Sequence, residues 1–180
     1  RTHLDNIRSK DREVQNKAYF YILNVTEKPV DWAYDVWDEM IWGLSHKDNH
    51  VRAIAAQVLC NLAKSDPQER ILKDFRSLLE VTKDERFVTA RHCMQALWKV
   101  GAAGTKQQKA YMEGLERRFK ECVTEKNCTL IRYDILESMR NVYGAVNDEK
   151  IKKKALELIG LEEDAKYRAK YASLWSAAHL

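Results

Sequence analysis

The chain has 180 residues, enough for one ordinary domain or one short repeat array with a sizeable core. Lys and Arg number 31 against 27 Asp and Glu, so the net charge of +4 comes from bases scattered among acids, which excludes a nucleic-acid-type basic tail and selects no partner. Two prolines and six glycines in a chain rich in Ala, Leu, Lys and Glu predict a mostly helical protein, and no stretch approaches the roughly 20 apolar residues of a membrane span.

In chain order, the polar turn Lys10-Asp11-Arg12-Glu13 precedes a helix with Val14, Ala18, Ile22 and Val25 on one face. An amphipathic helix is predicted from Asp31 to Leu44. At about 100° per residue, Trp32 and Trp37 bracket its apolar face of Ala33, Val36, Met40 and Leu44 and are expected in the core, whereas Trp42 falls beside Asp35 and Asp38. A second turn, Lys47-Asp48-Asn49-His50, introduces Val51, Ala55, Leu59 and Leu62. Pro67 suits the first position of the next helix, Gln68 to Val81, where its missing N–H costs nothing. A third turn, Lys83-Asp84-Glu85-Arg86, leads to a helix through Val88, Cys93 and Val100, stopped at Gly101-Ala102-Ala103-Gly104. In these turns Asp and Asn are placed to accept the free N–H groups of the helix that follows. Lys106 to Val123 forms another helix, followed by one carrying Ile131, Ile135, Met139 and Val142. Lys150, Lys152, Lys153 and Lys154 interleave with Glu157, Glu162 and Glu163 and read as a solvated face. The last segment, Asp164 to Leu180, sets Tyr167, Tyr171, Leu174 and Ala178 on one side.

Aligning Val14-Gln15, Val51-Arg52 and Ile131-Arg132, with a further copy beginning near Val88-Thr89 and slipped by about one residue through Cys93, Ala96 or Leu97, and Val100, gives a period of about 37 residues, lengthening to about 43 before the last copy. The unit is helix, tight turn, helix, loop. The phrase from His46 to Leu59, an Asp turn followed by Val51-Arg52 and a small-residue helix, resembles the HEAT-repeat pattern; Ile131-Arg132 is its second-best copy, while the other two copies lack the Arg. The resemblance implies an all-α right-handed superhelix of about four helix pairs over residues 1–180, with second helices lining a concave side. It implies no particular function, because scaffolds, transport factors, phosphatase subunits and some DNA-repair enzymes share this construction. In such stacks the Arg pairs with an acid of a neighbouring turn, and Asp48 is the expected partner of Arg52.

If second helices line the groove, Arg91, Gln95, Trp98 and Lys99 point into it, with Tyr133, Glu137, Arg140 and Asn141 one repeat later and Gln57 and Asn61 one repeat earlier. The candidate partner-binding set is therefore Trp98, Arg91, Gln95, Lys99, Tyr133, Arg140, Asn61 and the outward Trp42, since aromatics and Arg dominate binding hot spots. The expected function is a non-enzymatic scaffold or adaptor for a protein or peptide segment. The alternative is a DNA-binding solenoid of the alkylpurine DNA glycosylase type, at which Trp98, Arg91, Lys99 and Arg140 hint and against which Glu137 and the balanced charge argue. No catalytic residue, metal or cofactor is expected: His46 and His50 lack the glutamate of a zinc motif, and no close cysteine pair, nucleophile elbow or phosphate loop is present. Cys60, Cys93, Cys122 and Cys128 lack the dense spacing of a secreted disulfide framework, so a reducing, cytoplasmic setting is expected.

Overall fold

The computed structural model describes residues 2–176. Its elements, all helical among the described residues, are α1 (Thr2–Ile7), α2 (Arg12–Thr26), α3 (Ala33–Gly43), α4 (Asn49–Leu62), α5 (Arg70–Val81), α6 (Phe87–Ala96), α7 (Trp98–Gly101), α8 (Thr105–Glu121), α9 (Cys128–Val146), α10 (Glu149–Gly160) and α11 (Ala165–Ser173). They form consecutive pairs, α1/α2, α3/α4, α5/α6–α7, α8/α9 and α10/α11, in an all-α solenoid. This is one pair more than the repeat alignment predicts, because α1 is short and the α10 region reads as a charged face. Ala178 of the predicted last stripe lies outside the described residues.

Two layers result. The second helices α2, α4, α6, α9 and α11 pack in succession, and the first helices α5, α8 and α10 do so behind them. Trp37, Leu59, Leu62, Ile71, Leu78, Met94, Leu97, Tyr111 and Phe119 fill the space between, all fully buried. The residues predicted to mark the core face, Ala18, Ala55, Cys93 and Ile135, are at most 1% exposed. The register departs most at Val88, which is 59% exposed while Thr89 is buried; in α2 Gln15 and Thr26 are likewise buried beside half-buried Val14 and Val25. This is the one-residue slip expected of that copy, and the buried apolar series runs through Ala90, Cys93 and Met94 of α6 to Leu97 at its end.

The turn aspartates act as predicted and also do a second job. Asp11 accepts the N–H groups of Glu13 and Val14, Asp48 that of His50, and Asp84 that of Arg86. Asp48 also takes Arg12 Nη1 at 3.3 Å, and Asp84 takes Arg52 through Nε and Nη2, so each turn is tied to the pair before it. The expected Arg52–Asp48 pair is thereby replaced by Arg52–Asp84: the Arg reaches along the stack for its carboxylate, while its Nη1 donates to the His46 and Lys47 carbonyls of its own turn. Arg132 reaches Glu162 Oε2 at 2.8 Å in the same manner.

Pro67 lies in a turn ahead of the helix rather than in its first position. Helix α5 begins at Arg70 after Glu69, whose φ of 53° is left-handed, and the cap comes from Asp66, which accepts Arg70 N–H at 2.9 Å and Ile71 N–H at 2.8 Å. The cysteine spacing, which lacks the density of a disulfide framework, nevertheless yields one disulfide. Helix α8 gives way at Cys122 to a 3-10 turn, which brings Cys122 and Cys128 together as a disulfide with Cα atoms 5.1 Å apart.

Candidate functional site

The outward residues of the second-helix layer form the candidate interface. Across α2, α4 and α6 lies a cleft of about 460 Å³. Its floor is low because α4 presents Ala53 between larger neighbours, and Gln57 there donates to the Tyr19 hydroxyl and to the Ala53 carbonyl. On either side stand Phe20 of α2, 67% exposed, and Val88 of α6, 59% exposed. Asn16, His50 and His92 complete the rim, and no Asp, Glu, Lys or Arg lines the cleft. Burial raises the Tyr19 hydroxyl above its ordinary pKa, although the Gln57 hydrogen bond works against that. Tyr19 is therefore a neutral hydrogen-bonding group at any ordinary pH.

Further along the same helices the chain ties its repeats together. Asn61 is 1% exposed; its amide donates to the Leu23 carbonyl at 3.2 Å and to Thr26 Oγ1 at 3.0 Å, and its carbonyl oxygen accepts from Lys99 Nζ. Lys99 also donates to Glu27 Oε1 at 2.7 Å, and this hydrogen bond, against a smaller opposing effect of burial, holds the Glu27 carboxyl below its usual range. Arg91 grips Asp134 of α9 through two hydrogen bonds of 2.8 and 2.9 Å, with Asp134 fully buried. Thus three predicted contact residues bridge neighbouring repeats. Asn61, expected in the groove, is instead enclosed, because sequence periodicity within one helix does not count the cover supplied by the next repeat.

Gln95 is exposed beside Arg91, and Trp98 is half-buried, packed on the core at the start of α7 with Lys99 Nζ 5.9 Å from its ring centre. Tyr133 is half-buried under Lys170, whose Nζ lies 5.0 Å from the ring centre. The guanidinium of Arg140 lies 5.7 Å from the Tyr143 ring centre and 5.8 Å from that of Trp175. Arg91, Gln95, Trp98 and Lys99 on α6–α7 thus adjoin Tyr133 and Arg140 on α9. Trp42 does not join them: it sits on α3, 53% exposed, with Arg8 stacked 4.8 Å from its ring centre and His46 edge-on.

The residues that the sequence reading passed over are Tyr19, Phe20, Val88 and His92. Phe20 stands well off the Val14–Ala18–Ile22–Val25 face, a signal that was available. Val88 opens the slipped copy of the repeat, and the slip turns it outward. As for nucleophiles, both free thiols are buried, and burial pushes Cys60 up to about 12 and Cys93 well above its ordinary value, so neither is a thiolate at neutral pH.

No family model matches the sequence, and no curated protein matches it. Solved structures do. Two engineered proteins from the Northeast Structural Genomics Consortium are similar, one at a TM-score of 0.56 and 16% identity over 95% of this chain and 77% of its own. The other has a TM-score of 0.53 and 14% identity over 96% of this chain and 92% of its own. A designed armadillo repeat protein matches with a TM-score of 0.50 and 13% identity, over 95% of this chain and 78% of its own. The fold is an armadillo/HEAT-type repeat solenoid, and at these identities the likeness concerns the fold alone.

Proposed function

We propose that this chain is a non-enzymatic scaffold that holds a protein or peptide segment on its second-helix layer, anchored in the cleft between α2, α4 and α6. The observation that carries this reading is Phe20 and Val88, two large apolar side chains left exposed on either side of an uncharged, small-residue floor. Solenoid stacking does not need either residue outward, and such apolar exposure beside hydrogen-bonding Gln57 and Tyr19 suits a segment offering one apolar anchor and a few polar backbone groups. Gln95, Trp98, Tyr133 and Arg140 extend the surface toward α9. In this reading Arg91, Lys99 and Asn61 support the surface by fixing the repeats, and Trp42 takes no part.

The ion pairs weigh against the DNA-binding reading. A solenoid that tracks phosphates needs cations facing outward and unneutralised. Around the cleft and along α6–α7, Arg12 holds Asp48, Lys17 holds Glu13, Arg91 holds Asp134 and Lys99 holds Glu27. A phosphate would have to displace a carboxylate at each of them.

The test is selection of peptides from a displayed random library on the intact chain, followed by affinity measurement on variants. Phe20→Ala combined with Val88→Ser is expected to weaken the selected peptides by about 30-fold, equivalent to about 2 kcal/mol, with little change in melting temperature. Undiminished affinity in the double variant would refute the site. Duplex DNA binding at physiological salt that falls steeply with added salt would favour the rival.

A further inference from the structure

We propose a second recognition site at the α1–α2–α3 end of the stack, for a lysine or arginine side chain presented by a protein segment. A cleft of about 780 Å³ opens there, larger than the one across α2, α4 and α6 and built from different chemistry. Three carboxylates line it: Asp5, Asp35 and Glu39. Glu39 is engaged by Arg8 at 3.0 Å, whereas the exposed carboxylates of Asp5 and Asp35 have neither an ion pair nor a hydrogen bond among the described residues. Among the described residues no Lys or Arg lines the cleft, and Arg8 at its edge is held by Glu39. On a chain whose net charge is +4, three carboxylates gather around one cleft.

The walls narrow the choice of ligand. Tyr21, 49% exposed, is stacked face to face on His3 with ring centres 3.9 Å apart, and Trp32 lies in the same lining. Val25, Val30 and Val36 supply an apolar floor. An apolar floor, an aromatic wall and carboxylates without a partner among the described residues together fit an aliphatic stem ending in a cation: the stem packs along the valines and the aromatic rings, and the carboxylates accept its N–H groups. A phosphate or an acidic peptide would face like charge. A purely apolar segment would strip water from Asp5 and Asp35 and return no partner.

The experiment uses the intact chain and a Gly-Ser-rich nonapeptide carrying three lysines, beside the same peptide with every lysine acetylated. Acetylation keeps the stem and removes the charge. Binding is followed by NMR through the Trp32 indole N–H and the Asp35 amide. The lysine peptide is expected to shift both signals with an affinity at least tenfold above that of its acetylated twin, and Asp5→Asn with Asp35→Asn is expected to remove most of that difference without altering the melting temperature. Equal affinity for the two peptides would overturn the proposal, as would full binding by the double variant. Shifts of the two signals by spermine with none by the peptide would also overturn it, since the site would then take free cations rather than a protein side chain.

Discussion

Asp84 caps its own helix and holds the Arg52 of the preceding pair, and the second task is the one that stability should report. The pair is well covered, with side chains 12% and 5% exposed for Arg52 and Asp84. Breaking it leaves a buried carboxylate without its cation, so Arg52→Met is expected to lower stability by about 3 kcal/mol in denaturant unfolding. Burial pushes the Asp84 carboxyl up, but the Arg52 hydrogen bond and charge and the Arg86 N–H outweigh it and hold the carboxyl below its ordinary value. A depressed carboxyl contributes stability that is complete above its unfolded pKa and is lost as pH falls through the lower, folded value. The melting temperature should therefore drop on acidification below about pH 4, and less steeply in Arg52→Met than in the parent chain. That Arg52 serves the stack was legible in the Val-Arg motif. Its partner was not, because Asp48 is near in sequence, whereas the turn that stacking brings alongside belongs to the next pair.

At the scale of elements, helix faces were readable from periodicity and helix junctions were not. The Asp31 to Leu44 segment folds as α3 with Trp37 fully buried, as its angular pattern requires. Pro67 misled, since the cap of α5 comes from Asp66 across a left-handed Glu69, a geometry with no sequence signature in a residue other than Gly or Asn. Gly101, read only as a stop signal, is also a contact. A Cβ there would lie 2.9 Å from the Tyr111 ring and 2.9 Å from Val142 Cγ2, where α7 meets α8 and α9. Tyr111 cannot swing aside easily, because it is fully buried and its hydroxyl is 2.7 Å from Ser138 Oγ. Gly101→Ala is thus expected to destabilise by about 1–3 kcal/mol despite the better helix propensity of alanine, which equilibrium unfolding can measure. The α8–α9 junction carries the disulfide between Cys122 and Cys128. Alkylation of the unfolded, unreduced chain should label Cys60 and Cys93 alone by mass, and all four cysteines after reduction; closing so short a loop contributes about 2 kcal/mol, so reductant should also lower the melting temperature.

For the whole molecule, the period of about 37 residues was enough to foresee stacked helix pairs, since each pair buries its apolar face only against its neighbours. The binding surface was less legible. Periodicity says which side chains leave their own helix's core face, and Arg91, Lys99 and Asn61 all do; only the stack shows that they are spent on Asp134, Glu27 and Thr26. What remains outward is Phe20, Val88 and Gln95 with parts of Trp98, Tyr133 and Arg140, and the scaffold reading rests on the first two. Hydrogen–deuterium exchange of the chain saturated with a library-selected peptide tests it most directly. Slowed exchange concentrated in α2, α4 and α6, around Phe20, Gln57 and Val88, is the predicted result; slowed exchange confined to α5, α8 and α10, with the second-helix layer unchanged, would contradict it.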